Sequence, residues 1–104
     1  MATNFRISIQ GNSENLHVKL RGDFDGISAH ELLAALKKCS LRRSKVFIHT
    51  GCLRDINPFG VSVFQSNLNV LTGHSLTLIF TGENASRFAP EKPLPLDLTW
   101  NIAS

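Results

Sequence analysis

Two short segments near the start of the chain alternate apolar and polar residues. The apolar positions are Phe5, Ile7 and Ile9 in the first segment and Leu16, Val18 and Leu20 in the second. A period of two is typical of a strand with one buried face. Because the residues between the segments, 11–15, are turn formers, the pattern predicts an antiparallel hairpin. The segment Gly22-Asp23-Phe24-Asp25-Gly26 is expected to break the second strand.

The next apolar residues follow the period of a helix. They recur at intervals of three, four and seven residues, at Leu32, Ala35, Leu36 and Cys39. This spacing places them on one helical face. Ser28 is the expected N-cap, with Glu31 completing a capping box. Ile27 and Leu32 are then placed to form a hydrophobic staple.

A central strand and a second helix are expected next. Val46-Phe47-Ile48 is continuously apolar, which is typical of a strand covered on both faces. A loop from Thr50 to Ile56 is expected to follow. Asn57 is a good N-cap, and Pro58 suits the first helical position because no N–H is needed there. The predicted apolar face of this helix is Val61, Phe64, Leu68 and Leu71, with Gly73 as its C-terminal stop.

The last third of the chain predicts one further strand, a short helix and a tail. The alternating positions of the strand are Leu76, Leu78 and Phe80, and Ala85 to Phe88 are expected to form one helical turn. Three prolines, Pro90, Pro93 and Pro95, predict a stiff connector. The tail alternates again at Leu96, Leu98, Trp100 and Ile102, as an edge strand or as part of a partner's surface.

These elements occur in the order β-β-α-β-α-β, with a possible last strand. The order predicts an α/β fold: a mixed central sheet of four to five strands packed against two main helices and a short third helix. The length of 104 residues suits a single domain over residues 1–104. Its core is expected at about residues 5–90, and the connector and tail at 91–104.

Composition narrows the class of protein. Hydrophobic residues make up 42% of the chain and charged residues 18%, which is enough to fill a core. Seven Phe and no Tyr suggest aromatic side chains used for packing. The net charge of +3 falls short of the strong positive charge of a dedicated nucleic-acid binder. The sequence shows neither a signal peptide nor an apolar run of the roughly 20 residues that span a bilayer, so we expect a cytoplasmic protein without a membrane segment.

Catalytic and metal-binding patterns are weak. Cys39 and Cys52 form no CxxC pair and are expected to be buried, reduced thiols, with a redox role for Cys52 as the alternative. The histidines lack ligand spacing, although His49 lies at a predicted strand end beside the expected functional face. Asp23 and Asp25 favour a turn or a partner contact over acid–base or metal chemistry. We therefore expect no cofactor, no metal and no enzymatic activity.

The densest basic patch is interpreted mainly as a solvated helix end, with an anionic partner as the alternative. It comprises Lys37, Lys38, Arg42, Arg43 and Lys45. Cations commonly occupy helix C-termini, where they face the negative end of the dipole. No aromatic side chains interleave with the patch as they do in nucleic-acid binders. We therefore do not expect nucleic acid as a partner.

The segment Gly22–Leu32 resembles the opening of a STAS domain, the module of anti-sigma-factor antagonists and sulfate-transporter tails. The residues that match in order are Gly22, Phe24, Asp25, Ser28, Ala29 and Leu32. Ile56-Asn57-Pro58-Phe59-Gly60 stands where the family has an Asp-Ser-x-Gly signature that opens a helix. The strand at Leu76–Thr81 and the turn Gly82-Glu83-Asn84 also fit, so the resemblance covers roughly residues 5–90.

The signature departs from the family where it matters for regulation. The serine that a kinase phosphorylates in antagonists corresponds to Pro58, and the preceding Asp corresponds to Asn57. The resemblance thus implies the scaffold and the docking face, while the phosphorylation switch is absent. Ser62, one turn into the helix, is the nearest substitute hydroxyl, although an ordinary helical serine needs no such role.

The resemblance implies a non-catalytic regulatory module of bacterial signalling, active in regulation of transcription through a protein partner. That partner would be an anti-sigma factor, a histidine-kinase-like ATPase domain or another STAS protein, and the chain would be a monomer or a weak dimer. The expected partner-binding residues are Asp25, Ser28, Arg54, Asp55, Asn57, Pro58, Phe59 and Ser62. Phe59 is either an anchor for the partner or a core residue. The alternative is a sensor that holds a lipid or nucleotide beside the second-helix start.

Overall fold

The computed structural model of the chain describes residues 4–11, 15–40, 45–71, 76–89 and 98–103. The five strands are β1 (Arg6–Gly11), β2 (Asn15–Phe24), β3 (Lys45–Ile56), β4 (Leu76–Thr81) and β5 (Leu98–Ala103). The two α-helices are α1 (Gly26–Ser40) and α2 (Pro58–Ser66), and short 3₁₀ turns cover Leu68–Leu71 and Ala85–Phe88. Within these residues, no helix is long and apolar enough to cross a membrane.

The strands form one mixed sheet in the order β1-β2-β3-β4-β5. β1 and β2 are antiparallel, as the alternating segments predict, and the remaining pairs are parallel. The tail forms an edge strand, with Leu98 paired beside Leu76. The proline connector predicted at residues 90–95 lies outside the described residues. The α/β class and the mixed sheet of the sequence analysis are confirmed.

Strands β2 and β3 are both longer than predicted, so the predicted break at Gly22 and the predicted loop at Thr50 are wrong. β2 continues to Phe24, and β3 includes the whole segment that was predicted as a loop. The two strands stay paired through register shifts, the second of which lies between Gly22 and Asp23. Gly22 has a φ of 95°, and a Cβ there would collide with the backbone of Asn4. These irregularities interrupt the period of two, which is why the pattern predicts a break.

Helix α1 begins three residues earlier than predicted. Asp25 is its N-cap, because its Oδ1 accepts hydrogen bonds from the backbone N–H of Ser28 (2.9 Å) and from the Ser28 hydroxyl (3.0 Å). Ser28 is thus the third helical residue, so the predicted capping box with Glu31 is wrong. The staple is also wrong, because Ile27 lies in the first turn and is 52% exposed.

Helix α2 begins as predicted and ends early. The Asn57 side chain accepts a hydrogen bond from the backbone N–H of Phe59 at 2.8 Å, and Pro58 occupies the first turn. After Ser66 the chain tightens into the 3₁₀ turn, which keeps Leu68 and Leu71 buried. The predicted stop at Gly73 lies outside the described residues.

Among the described residues, the core lies on the face of the sheet that carries the helices. Alternate strand residues point into it with the helices, among them Val18, Leu20, Val46, Ile48, Leu78 and Phe80. Phe24, Phe64 and Phe80 pack around Phe88, at ring-centroid distances of 5.0, 6.1 and 5.4 Å. Phe47 lies on the opposite face and is half-buried. The expectation that β3 is covered on both faces is therefore wrong for the part of the chain that the structure describes.

Candidate functional site

The beginnings of the two helices are locked together at one end of the sheet. A Cβ on Gly60 would lie 2.6 Å from the carbonyl carbon of Asp25 and 2.7 Å from its oxygen. The backbone N–H of Asn57 donates to the carbonyl of Phe24 at 2.8 Å. Asp25 and the turn at Pro58, which the sequence predicts to share one face, are thus brought together by backbone contacts.

Two large apolar side chains are exposed where the helices begin. Phe59 is 68% exposed, and Ile27 is 52% exposed. A Cβ on Gly26 would lie 3.2 Å from Cε2 of Phe59, so the Phe59 ring lies beside the residue that precedes Ile27. We call Ile27 and Phe59 the helix-start patch. Of the two positions that the sequence leaves open for Phe59, the structure shows the exposed one.

The exposure of Ile27 is not predicted from the sequence. Its role as a staple depends on Ser28 being the N-cap. With Asp25 as the cap, Ile27 falls in the first turn of α1 and turns outward. The signal that could have identified it is Asp25 followed three residues later by Ser28, since Asp is as good an N-cap as Ser.

An ion pair lies at the paired ends of β2 and β3. Arg54 donates from Nε to Oδ1 of Asp23 at 3.1 Å and from Nη2 to Oδ2 at 3.0 Å. These bonds lower the pKa of Asp23 and raise that of Arg54. The pair is solvent-exposed, so its contribution to stability is small. Its planar two-bond geometry nevertheless fixes the direction of the Arg54 side chain, and Asp55 is exposed beside it.

The carboxylate of Asp25 serves helix α1. The backbone N–H of Ser28 donates to it, which is the main reason why its pKa lies below the usual value. Ser28 itself is completely buried, and its hydroxyl also lies 3.1 Å from the carbonyl oxygen of Asp23. A buried side chain has no access to a partner, so the expected partner contact at Ser28 is wrong. Ser28 positions Asp25 instead.

The remaining predicted residues lie along the exposed side of α2. Asn57, Pro58 and Ser62 are all exposed. Pro58 and Ser62 also line a groove of about 550 Å³ between α2 and the 3₁₀ turn at Ala85–Phe88. We call it the helix groove. Its other polar side chains are those of Gln65, Ser86 and Arg87.

The groups singled out for redox or metal chemistry lie elsewhere or are otherwise engaged. Cys52 is an exposed free thiol, which contradicts the expected burial, and the side chain of Cys39 lies outside the described ones. His49 lies within β3 rather than at its end, on the sheet face opposite the helices. The described residues hold no group of three or more His, Cys, Asp or Glu that could bind a metal.

Comparisons with known proteins identify the fold. No protein-family model matches the chain, and no curated relative matches it. It is similar to the structure of the anti-sigma factor antagonist SpoIIAA in its unphosphorylated form, with a TM-score of 0.60, 13% identity and coverage of 96% of this chain and 88% of that one. It is also similar to an uncharacterized protein of the DUF3478 family from Shewanella loihica with a SpoIIAA-like fold, with a TM-score of 0.56, 13% identity and coverage of 100% and 91%.

These matches confirm the STAS-like fold that the residues from Gly22 to Leu32 and from Ile56 to Gly60 suggest. At 13% identity they show the fold alone. A shared fold does not imply a shared function.

Proposed function

We propose that the chain is a non-catalytic regulatory module that binds a protein partner through the helix-start patch and the polar residues around it. The observation that carries the proposal is the exposure of Phe59, 68% of whose surface faces solvent, beside exposed Ile27. Aromatic side chains provide much of the binding energy when they fill a partner's pocket. Adjacent apolar side chains with a polar rim are typical of such surfaces.

The rigidity of the Phe59 backbone supports this role. The turn is bonded to β2 through Asn57, capped by the Asn57 side chain at Phe59, and packed against Asp25 at Gly60. An anchor on a rigid turn loses little conformational entropy on binding, so more of the contact energy appears as affinity. The ion pair of Arg54 with Asp23 adds a fixed polar group to the rim.

Pro58 supports binding that does not depend on phosphorylation of this turn. In the antagonists that the chain resembles, a serine at this position receives the phosphoryl group. A phosphoryl group would add about −1.5 to −2 charges at a helix start and alter any contact made there. Pro58 has no hydroxyl to accept it. The proposed partner is an anti-sigma factor, a histidine-kinase-like ATPase domain or another STAS protein, which the resemblance implies and the SpoIIAA-like fold supports.

The docking face is tested with a photo-crosslinking amino acid at position 59, and at position 70 as control. Val70 is also an exposed apolar side chain, with 42% of its surface accessible, but it lies on the 3₁₀ turn and outside the helix-start patch. We expect one protein to be captured from position 59 alone. With that protein purified, Phe59→Ser should weaken binding about 30-fold, the effect of a 2 kcal/mol anchor, while Val70→Ser should not. Equal affinities for both variants would remove this face from the proposal.

Independence from phosphorylation has its own test. The protein and its Pro58→Ser variant are incubated with a kinase that phosphorylates anti-sigma-factor antagonists, and intact masses are measured. We expect the wild type to keep its mass. A phosphate on wild-type Ser62, located by fragmentation, would show that the switch has moved one turn along α2 and would contradict the proposal.

A second candidate function is the sensing of a small molecule, a lipid or a nucleotide, in the helix groove. The observation in its favour is the size of that groove, about 550 Å³, within the usual range for ligand sites. A bound ligand raises the melting temperature, so a thermal-unfolding panel tests it. The increase should be lost in Arg87→Gln. No increase with any lipid or nucleotide would exclude this function.

A further inference from the structure

A second groove lies on the sheet face that points away from α1 and α2. It has a volume of about 760 Å³, and its lining includes Arg6, Lys19, Arg21, His17, His49 and Thr81. We call it the sheet groove. It shares no residue with the helix groove or with the helix-start patch, so it constitutes a separate candidate site.

Positive charge is concentrated in the sheet groove. Arg6 and Arg21 are direct partners across the antiparallel strands β1 and β2, and Lys19 lies two residues before Arg21 on the same face. Like charges directly opposite one another on a sheet are destabilising. No Asp or Glu lines the groove, and none of the three cations forms an ion pair with a residue that the structure describes. An anion in the groove would relieve this repulsion.

A row of hydrogen-bonded side chains crosses the floor of the groove. Nδ1 of His17 lies 2.9 Å from Nε2 of His49, and Nδ1 of His49 lies 2.6 Å from Oγ1 of Thr81. The two imidazole planes are within 6° of each other. When Thr81 donates to His49 and His49 donates to His17, Nε2–H of His17 is available to a ligand. The row then supplies an oriented donor beside the three cations.

We propose that the sheet groove binds a small anion that carries a diphosphate group. Three fixed positive charges complement a diphosphate, which carries about three negative charges near neutral pH, and charge-assisted hydrogen bonds from guanidinium groups suit phosphate oxygens. The volume lies within the range of small-molecule sites. The same chemistry is supplied by inorganic pyrophosphate or by a nucleoside diphosphate.

Other occupants fit the groove less well. A second copy of the chain would place one cationic face against another. A single-stranded nucleic acid needs exposed aromatic faces on which bases stack. No Phe or Trp lines the groove, and the nearby Phe47 ring is stacked on His17, with centroids 4.9 Å apart and planes within 11°.

Calorimetric titration tests the proposal with inorganic pyrophosphate, adenosine diphosphate and an eight-nucleotide single-stranded RNA. We expect at least one diphosphate to bind with a dissociation constant of about 100 µM or tighter at low salt. Binding of both diphosphates would show that the diphosphate group suffices. Binding of the nucleotide alone would show that the nucleoside contributes. Amide NMR shifts should place the ligand on β1 and β2.

Matched variants separate the sheet groove from general charge effects. Lys19→Gln and Arg21→Gln should each weaken binding at least tenfold. Lys38→Gln removes the same charge from the exposed side of α1, and Arg87→Gln removes it from the helix groove, so both should retain wild-type affinity. Phe59→Ser should also retain it, which keeps this test independent of the docking proposal.

Three results would overturn the proposal. The first is that neither diphosphate binds. The second is that the control variants lose as much affinity as the groove variants. The third is that the RNA binds and the diphosphates do not. All substituted side chains are exposed, so the variants are expected to fold.

Discussion

Gly60 packs backbone to backbone against Asp25. A Cβ at position 60 would lie 2.6 to 2.8 Å from three main-chain atoms of Asp25, closer than real Cβ atoms come to their neighbours. Because the obstacle is main chain, it cannot move aside as a side chain would. Glycine at this position therefore allows the start of α2 to lie against the start of α1, and with it holds the helix-start patch together.

Gly60→Ala should lower the free energy of unfolding by about 1–3 kcal/mol, the usual effect of overpacking a tight contact. Urea unfolding followed by circular dichroism measures the change. Gly51→Ala is the matched control, because a Cβ there meets nothing within 4 Å. Its effect should stay within about 0.5 kcal/mol. If the two variants unfold alike, the close contact at Gly60 contributes nothing to the fold.

Phe59 and Phe64 lie in the same short helix and should respond in opposite ways. Phe64 is fully buried between Phe80 and Phe88, so Phe64→Ala should cost about 3–5 kcal/mol of stability. Phe59→Ala should cost less than about 1 kcal/mol, because most of its surface is already in water. Denaturant unfolding of the two variants measures both. A large loss for Phe59→Ala would mean that Phe59 is needed for folding, and the anchor role would lose its main support.

The elements with strong local signals follow from the sequence. The alternation of β2 and β4 reflects one buried face, while the apolar side of the edge strand β1 is only partly covered. Asn57-Pro58 combines an N-cap with a residue suited to the first turn. The start of α1 is harder, because Asp23, Asp25 and Ser28 are all candidate caps within six residues. The hydrogen bonds of the folded chain decide among them: Asp23 pairs with Arg54, while Asp25 accepts the backbone N–H and the hydroxyl of Ser28.

The candidate surfaces also differ in how readily the sequence reveals them. Asn57, Pro58 and Phe59 are contiguous, so a local motif identifies them. The sheet groove has no such motif, because Arg6 and Arg21 become neighbours only through the pairing of β1 with β2. In the sequence each is one polar position of an alternating strand. The continuous basic run at Lys37 and Lys38, which lie exposed in the last turn of α1, is more conspicuous there.

Asp25→Ala should remove the N-cap of α1 and cost about 1 kcal/mol at neutral pH, within the range of 0.5–2. The Ser28 N–H holds the pKa of Asp25 below its usual value, so the folded state keeps the carboxylate ionised at lower pH than the unfolded chain does. The stabilisation is then present above the unfolded pKa of about 3.9 and is lost as the pH falls through the folded value.

Urea unfolding of the wild type and of Asp25→Ala at neutral pH and again near pH 3 checks both the size and the sign of this effect. The difference between them should shrink in acid. Asp55→Ala is the control, since Asp55 is an exposed carboxylate that caps no helix of the described chain. A difference that is constant with pH would show that the carboxylate charge plays no part in the cap.

The environment of His49 predicts a second pH dependence. Here folding favours the neutral form of the side chain, whereas at Asp25 it favours the charged form. Burial lowers the pKa of His49, and the neighbouring charges of His17 and Lys19 lower it further. The unfolded chain binds a proton near pH 6.5, while folded His49 stays neutral to lower pH. Between the two values the unfolded state holds more protons, so stability falls as the pH drops below about 6.5, by at most about 1.4 kcal/mol per pH unit. Below the folded pKa the loss is complete and no longer grows.

Substitution of His49 isolates this contribution from that of the other histidines. His49→Gln should flatten the dependence of the free energy of unfolding on pH between about pH 7 and 5, because glutamine binds no proton there. His30→Gln, exposed on α1, is the matched control for the loss of a histidine. Urea titrations at matched ionic strength measure all three proteins. Equal slopes would mean that His49 takes up its proton as readily in the folded chain as in the unfolded one, and that its burial beside His17 and Lys19 does not hold it neutral.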